Sequence, residues 1–237
     1  MIAKKSETMV RASGIDLYLK RIFALMFGAV GVTALAAFIT MATPLWGMLF
    51  TANGLSPLYY ILMFGGLALS IWAQVRVFSM QPAKAAALLF IYAALVGIVM
   101  TPLLIVAITN NPLTILAAFV LAAIMFACMA LFGYKTVKNL SFLGIFLMMG
   151  MIGLILVGLA SFIWPAIVGG TFGTIVCLIG VLVFALFTAY DMQNLKNAYA
   201  AGGDEHQKNQ LAVLGALHLY ISFIAMFQYL LSLFNRD

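Results

Sequence analysis

Charge is what this sequence lacks. Only 8% of its 237 residues are charged and 66% are hydrophobic, whereas about a quarter of a soluble domain is charged. So few charges cannot cover a soluble surface of this size. A soluble globular protein is excluded, and an integral membrane protein remains. Cysteine is almost missing as well. Cys128 and Cys177 both fall inside apolar runs, so each reads as a small buried hydrophobe, and neither a disulfide framework nor a metal-ligand spacing exists. The chain contains no His-Glu-x-x-His, no Gly-x-Ser-x-Gly and no lysine in its last apolar run. Those absences remove a zinc peptidase, a nucleophile-elbow hydrolase and a retinal Schiff base in turn. Residues 1–21 have no apolar core and read as no cleavable signal, and lipidation motifs are missing. The basic excess, +6, is not interleaved with aromatics as a nucleic-acid face would be, so no nucleic-acid partner is expected.

What the chain does have is long apolar runs. A bilayer core takes about 20 apolar residues per helix. Seven runs qualify: Ile22–Ala42, Leu58–Phe78, Ala85–Ile108, Leu113–Gly133, Leu140–Ile163, Phe172–Asp191 and Leu211–Phe234. Pro44, Pro57, Pro82, Pro112 and Pro165 punctuate the connections, while Pro102 lies inside the third run and should kink it. The fold class expected is therefore an all-α membrane protein of seven spans, with a tail at 1–21, a membrane domain at 22–234 and a short tail at 235–237.

Basic residues set the orientation. Lys4, Lys5, Arg11, Lys20 and Arg21 precede the first run, and Arg76, Lys84, Lys135, Lys138, Lys196 and Lys208 flank the even-numbered connections. Arg236 alone falls on the other side. The positive-inside rule then predicts a cytoplasmic N-terminus and an external C-terminus. Ile15–Arg21 is a candidate for lying along the inner interface before the first span.

Few polar side chains interrupt the apolar runs. Asp191 is the only acid touching any of them; Glu7, Asp16, Asp204, Glu205 and Asp237 lie in the tails or one polar loop. An intramembrane carboxylate is costly and normally faces the bundle interior with a partner, although an aspartate near a run's end can also snorkel to the interface. Arg76 in the second run lies at matching depth and is the natural partner, its alternative being a snorkelling topology signal. Gln74 sits beside it. His218 and Ser222, four apart, share a face of the last run. Histidine there can carry protons, or it can be a neutral ring hydrogen-bonded to a neighbouring backbone. Gln228 reads as a helix-to-helix hydrogen bond. Ser222 and His218 on one helix lack the orienting group and oxyanion hole of a hydrolase, so no enzyme is expected.

These residues resemble the Bax inhibitor-1 family, also called the transmembrane Bax inhibitor motif family. Its members carry Tyr-Asp-x-Gln at the end of the sixth helix, and Tyr190-Asp191-Met192-Gln193 reproduces it. The family's last helix is similar to the stretch from Ala216-Leu217-His218-Leu219-Tyr220 to Phe227, and the fourth connection, from Gly133-Tyr134-Lys135-Thr136 to Gly144, resembles bacterial members. The resemblance implies six helices around a central seventh. It implies a pH-sensitive calcium leak, in which an aspartate on the sixth helix and another on the seventh share a proton and an arginine on the second joins them. Asp191 matches the first aspartate and Arg76 is the only arginine of the second run; Ser222 stands where the second aspartate would be, and Ala225 where a nearby asparagine would be.

With one carboxylate instead of two, no like-charge repulsion holds a proton near neutral pH. Asp191 is then expected to stay ionised beside Arg76, with Ser222 as a hydroxyl donor, and any pH response is expected to come from His218. The expected activity is a calcium leak with a modified proton-sensing site at Asp191, Arg76, His218 and Ser222, Asp191 making a transient calcium contact. The alternative is a non-conducting regulator that binds another membrane protein, such as a membrane-bound protease. The lipid bilayer is the one certain partner, no cofactor is expected, and the short tails suit a bacterial inner membrane.

Overall fold

Lipid offers a backbone no hydrogen-bonding partner, so an apolar run must satisfy its own N–H and C=O groups, and a helix does this within one segment. The computed structural model describes residues 2–51, 54–164, 169–202 and 204–236. Among the described residues seven helices are long and apolar enough to cross a membrane. They are α1 (Ile2–Ala42), α3 (Pro57–Arg76), α4 (Pro82–Asn110), α5 (Leu113–Lys135), α6 (Ser141–Ile163), α7 (Gly170–Ala200) and α8 (Glu205–Phe234). A four-residue helix α2 (Leu45–Met48) and an antiparallel pair, β1 (Phe50–Thr51) with β2 (Gly54–Leu55), occupy the first connection. The protein is an all-α integral membrane protein, as the apolar runs require. Pro165 and Asp237 lie outside the described residues.

The spans agree with the apolar runs in number and differ at their ends. α1 begins before Ile22 and continues through the segment expected to lie along an interface. α7 runs past Asp191 to Ala200, and α8 begins at Glu205 rather than Leu211. Polar residues do not stop a helix; they only stop it from being apolar. What ends α7 is Gly202, whose φ of +86° is the left-handed conformation that glycine adopts without penalty just past a helix. α3 opens with Ser56, whose side chain accepts from the Tyr59 N–H, and with Pro57 in its first turn. Pro102 lies within α4, which carries on past it to Asn110.

Burial separates the last span from the rest. In its most apolar stretch 72% of residues are buried, against 17–44% in the other six. A helix surrounded by protein can carry polar groups that a lipid-facing helix cannot.

The chain forms two compact units. The first comprises Met1–Pro102 with Leu195–Tyr220, the second Leu103–Asn194 with Ile221–Asp237. In the first, Val77, Ala85 and Val213 form a buried cluster covered by Leu25, Ala86 and Leu214. Gly97 of α4 lies so close to α1 that an added Cβ would overlap the Thr33 carbonyl oxygen. In the second, Leu147, Leu154 and Val183 form the cluster, with Phe184, Phe187 and Tyr229 among the side chains around it. Gly133 of α5 meets α7 in the same way, and a Cβ there would overlap the Ala189 backbone. Small residues at such crossings let two helix backbones touch, which is how membrane helices gain contact without a hydrophobic driving force.

Candidate functional site

Asp191 is an interior residue of α7, half-buried, and the residues around it are committed to packing. Ala189 is fully buried against Gly133. The Tyr190 ring covers Gly144 of α6, where a Cβ would come within 2.7 Å of the ring carbon and hydroxyl. Met192 is buried. Gln193 is buried too, and both ends of its amide are used: Oε1 accepts from the Leu140 N–H at 2.9 Å and Nε2 donates to the Lys138 carbonyl at 2.8 Å. Gln193 thus clasps the connection between α5 and α6 and satisfies two backbone groups that no helix ladder takes up. The stretch Tyr190-Asp191-Met192-Gln193 therefore docks α7 on α5 and α6, and Asp191 is its one acidic member. Ser222, on α8 in the same unit, is buried beside Phe223, whose ring meets Phe119 and Phe126 edge-on at 5.6 and 5.7 Å.

The other two expected residues belong to the first unit. Arg76 is the last residue of α3 and is exposed. His218 is half-buried on α8, and its Nε2 lies 3.1 Å from Gln74 Oε1. The Gln74 amide nitrogen donates to the Ser70 carbonyl at 3.2 Å, which orients the amide and leaves Oε1 facing the imidazole. An amide oxygen only accepts, so His218 Nε2 carries the proton in this bond. The bond is the same whether the ring is neutral or charged. His218 thus bonds a neighbouring helix through a side chain rather than a backbone, an arrangement open to either of the two sequence readings.

One polar group in the first unit carried no signal in the sequence. Thr33 Oγ1 lies 3.0 Å from both the Ala29 and Ala93 carbonyls and 2.7 Å from the Tyr220 hydroxyl. Thr33 has a single hydroxyl proton and two carbonyls to receive it, so Tyr220 donates to Thr33. Tyr220 is fully buried, and Tyr92 meets it edge-on at 5.9 Å. Nearer the start of α8, Gln210 Nε2 donates to the Met80 carbonyl at 2.7 Å. Threonine and tyrosine are ordinary residues of apolar helices, and only the register between helices distinguishes a bonded hydroxyl from any other.

Metal chemistry would need converging ligands. Among the described residues no three His, Cys, Asp or Glu side chains come together. A resident calcium takes six to eight oxygens, more than the Asp191 carboxylate alone supplies.

Comparison with known proteins accords with this architecture. The chain matches, over residues 16–237, the family described as inhibitor of apoptosis-promoting Bax1. It is 36% identical to an uncharacterized protein of Caulobacter vibrioides over 189 residues, 78% of this chain and 72% of that one. It is 31% identical to the inner membrane protein YbhL of Escherichia coli over 237 residues, covering 98% and 97% of the two chains. An uncharacterized protein of Lactococcus lactis, YrjE, is 32% identical over 96% of each. A match across almost the whole length, together with seven spans and the Tyr190–Gln193 motif, shows that the chain belongs to the Bax inhibitor-1 family.

Proposed function

We propose that this protein is a multi-pass protein of the bacterial inner membrane that lets calcium leak down its gradient under the control of pH. Its N-terminus faces the cytoplasm and its C-terminus the outside. Asp191 carries the proposal: it is the one carboxylate within the seven apolar runs of the sequence, placed inside α7 and half-buried there. A group so costly to keep in an apolar helix is retained for what it does. Family membership supports the activity class, the name of the Escherichia coli relative supports the location, and the charge bias supports the orientation. Arg76, His218 and Ser222 complete the proposed set.

Purified protein in calcium-loaded liposomes tests this. Flux is measured from pH 5 to 8 for wild type, Asp191→Asn and Ser222→Asp. The expected result is a flux that Asp191→Asn lowers at least tenfold and a steeper pH response in Ser222→Asp, which supplies a second carboxylate. No flux in wild type at any pH would sink the leak. Co-purification with a membrane protease in that case would favour the second reading, a non-conducting regulator, to which the replacement of one family carboxylate by Ser222 already points.

A further inference from the structure

The first unit holds a recess of about 540 Å³ that none of the residues above explains. Three helices build it: Arg21 and Leu25 from the middle of α1, Gln81 just before α4 with Ala86 in its first turns, and His206 and Val213 from the first turns of α8. Its two halves differ in chemistry. Arg21, Gln81 and His206 are exposed polar side chains at the rim. Leu25, Ala86 and the buried Val213 form an apolar wall that belongs to the hydrophobic cluster of this unit. Among the described residues no acidic side chain lines it. The nearby Glu205 is engaged with Lys208 at 3.4 Å.

Arg21 is held in place. Its Nη1 donates to Asn209 Oδ1 of α8, which fixes the guanidinium on the rim and leaves most of its donor fork for another acceptor. A guanidinium fork matches two oxygens of a phosphate, and the Gln81 amide and the His206 ring add donors beside it. The recess lies where the apolar part of three spans gives way to polar residues, the depth at which a lipid phosphate sits above its acyl chains. Basic recesses between helices at this level suit anionic headgroups.

The geometry points to a binding site for the phosphate of an anionic phospholipid, headgroup on Arg21 and upper acyl chain on Leu25, Ala86 and Val213. The site shares its phosphate chemistry with free phosphate. The apolar wall distinguishes the two, because an inorganic ion has nothing to lay against it. The lipid would pin α1, α4 and α8 together, independently of whether calcium crosses the protein.

The test is native mass spectrometry of the full-length protein in detergent, with phosphatidylglycerol and phosphatidylcholine added in equal amounts. Wild type should retain phosphatidylglycerol preferentially. Arg21→Gln should reduce that occupancy about fivefold, the effect of one basic group at a charged interface. Ala83→Leu narrows the recess while keeping Arg21 and its bond to Asn209, so it should reduce occupancy even if Arg21→Gln does not fold. Lys138→Gln, on the α5–α6 connection, should leave occupancy unchanged. Equal retention of both lipids in wild type, or unchanged occupancy in both recess variants, overturns the site. Displacement of the lipid by an equal concentration of inorganic phosphate overturns the lipid as its source.

Discussion

The first unit is joined between its spans by hydrogen bonds as well as by a glycine crossing, the second by close-packed rings and a glycine crossing. In the first, Thr33 joins Ala93 and Tyr220, and Gln74 joins His218, all between different helices and within the spans. In the second, Phe119 meets both Phe223 and Phe227 edge-on, Gly180 lies under the Tyr229 ring, and the inter-helix side-chain bonds of Gln193 fall on a connection rather than within a span. The two kinds of contact fail differently. A membrane hydrogen bond averages only about 0.6 kcal/mol, because the separated helices find other partners. Overpacking has no such outlet and costs about 1–3 kcal/mol, occasionally more.

The largest effects should therefore come from the glycine crossings, and they should be equal in the two units. Gly133→Val and Gly97→Val each force a side chain into the backbone of a facing helix. Each should cost about 3 kcal/mol or more. Folded yield and thermal midpoint in detergent read the cost. A tolerated Gly133→Val would mean that α5 and α7 do not approach as described, and would remove the close-packing half of the contrast.

Next in size is Gln193→Leu. It keeps the volume but abandons the Leu140 N–H and the Lys138 carbonyl, at about 1–3 kcal/mol for each group left without a partner. Water at the connection should recover part of this. The diagnostic reading is local: hydrogen exchange should accelerate at Leu140 and not in the first unit. Unchanged protection at Leu140 would show that the clasp is not made in solution.

How much of this the sequence disclosed depends on the residue. Seven runs of apolar residues fixed seven spans, because nothing else can bury so much apolar surface. Helices α1, α7 and α8 extend beyond their apolar runs, because polar residues can continue a helix past its apolar part. Asp191 stood out through scarcity. Gln74 and His218 were each visible as polar residues in apolar runs, but their bond was not, since partners on different helices depend on a register that one sequence does not carry. Thr33 carries no signal and Tyr220 stands only as one member of a family-like stretch, because hydroxyls are common enough in such helices to pass as filler. Gln193 is legible in the sequence as part of a motif, whereas its clasp depends on Lys138 and Leu140, which only the fold brings beside it.

Smaller effects test the hydrogen-bonded unit. Tyr220→Phe deletes one donor while Thr33 keeps two carbonyl acceptors, so it should cost about 0.6–1.7 kcal/mol. Thr33→Val removes the hydroxyl that Tyr220 bonds, and a double-mutant cycle between them should show coupling. Additive losses would mean that the two hydroxyls do not meet.

The smallest effect on stability, and the sharpest on pH response, is expected from His218→Gln. Glutamine can still donate an amide N–H to Gln74 Oε1, so at neutral pH the variant should lie within about 0.6 kcal/mol of wild type, the average worth of one such bond. The two proteins should part on acidification. Wild type gains a positive charge on α8 when the ring takes a second proton, and a charge among apolar helices is costly, so its stability should fall relative to the variant as pH drops. Acidification from pH 8 to 5, the range over which the calcium flux is also measured, should therefore separate the two proteins. Thermal midpoints from pH 5 to 8, and flux over the same range, should both flatten in His218→Gln. A wild-type transition that survives the substitution unchanged would remove His218 as the sensor and return the titration to Asp191.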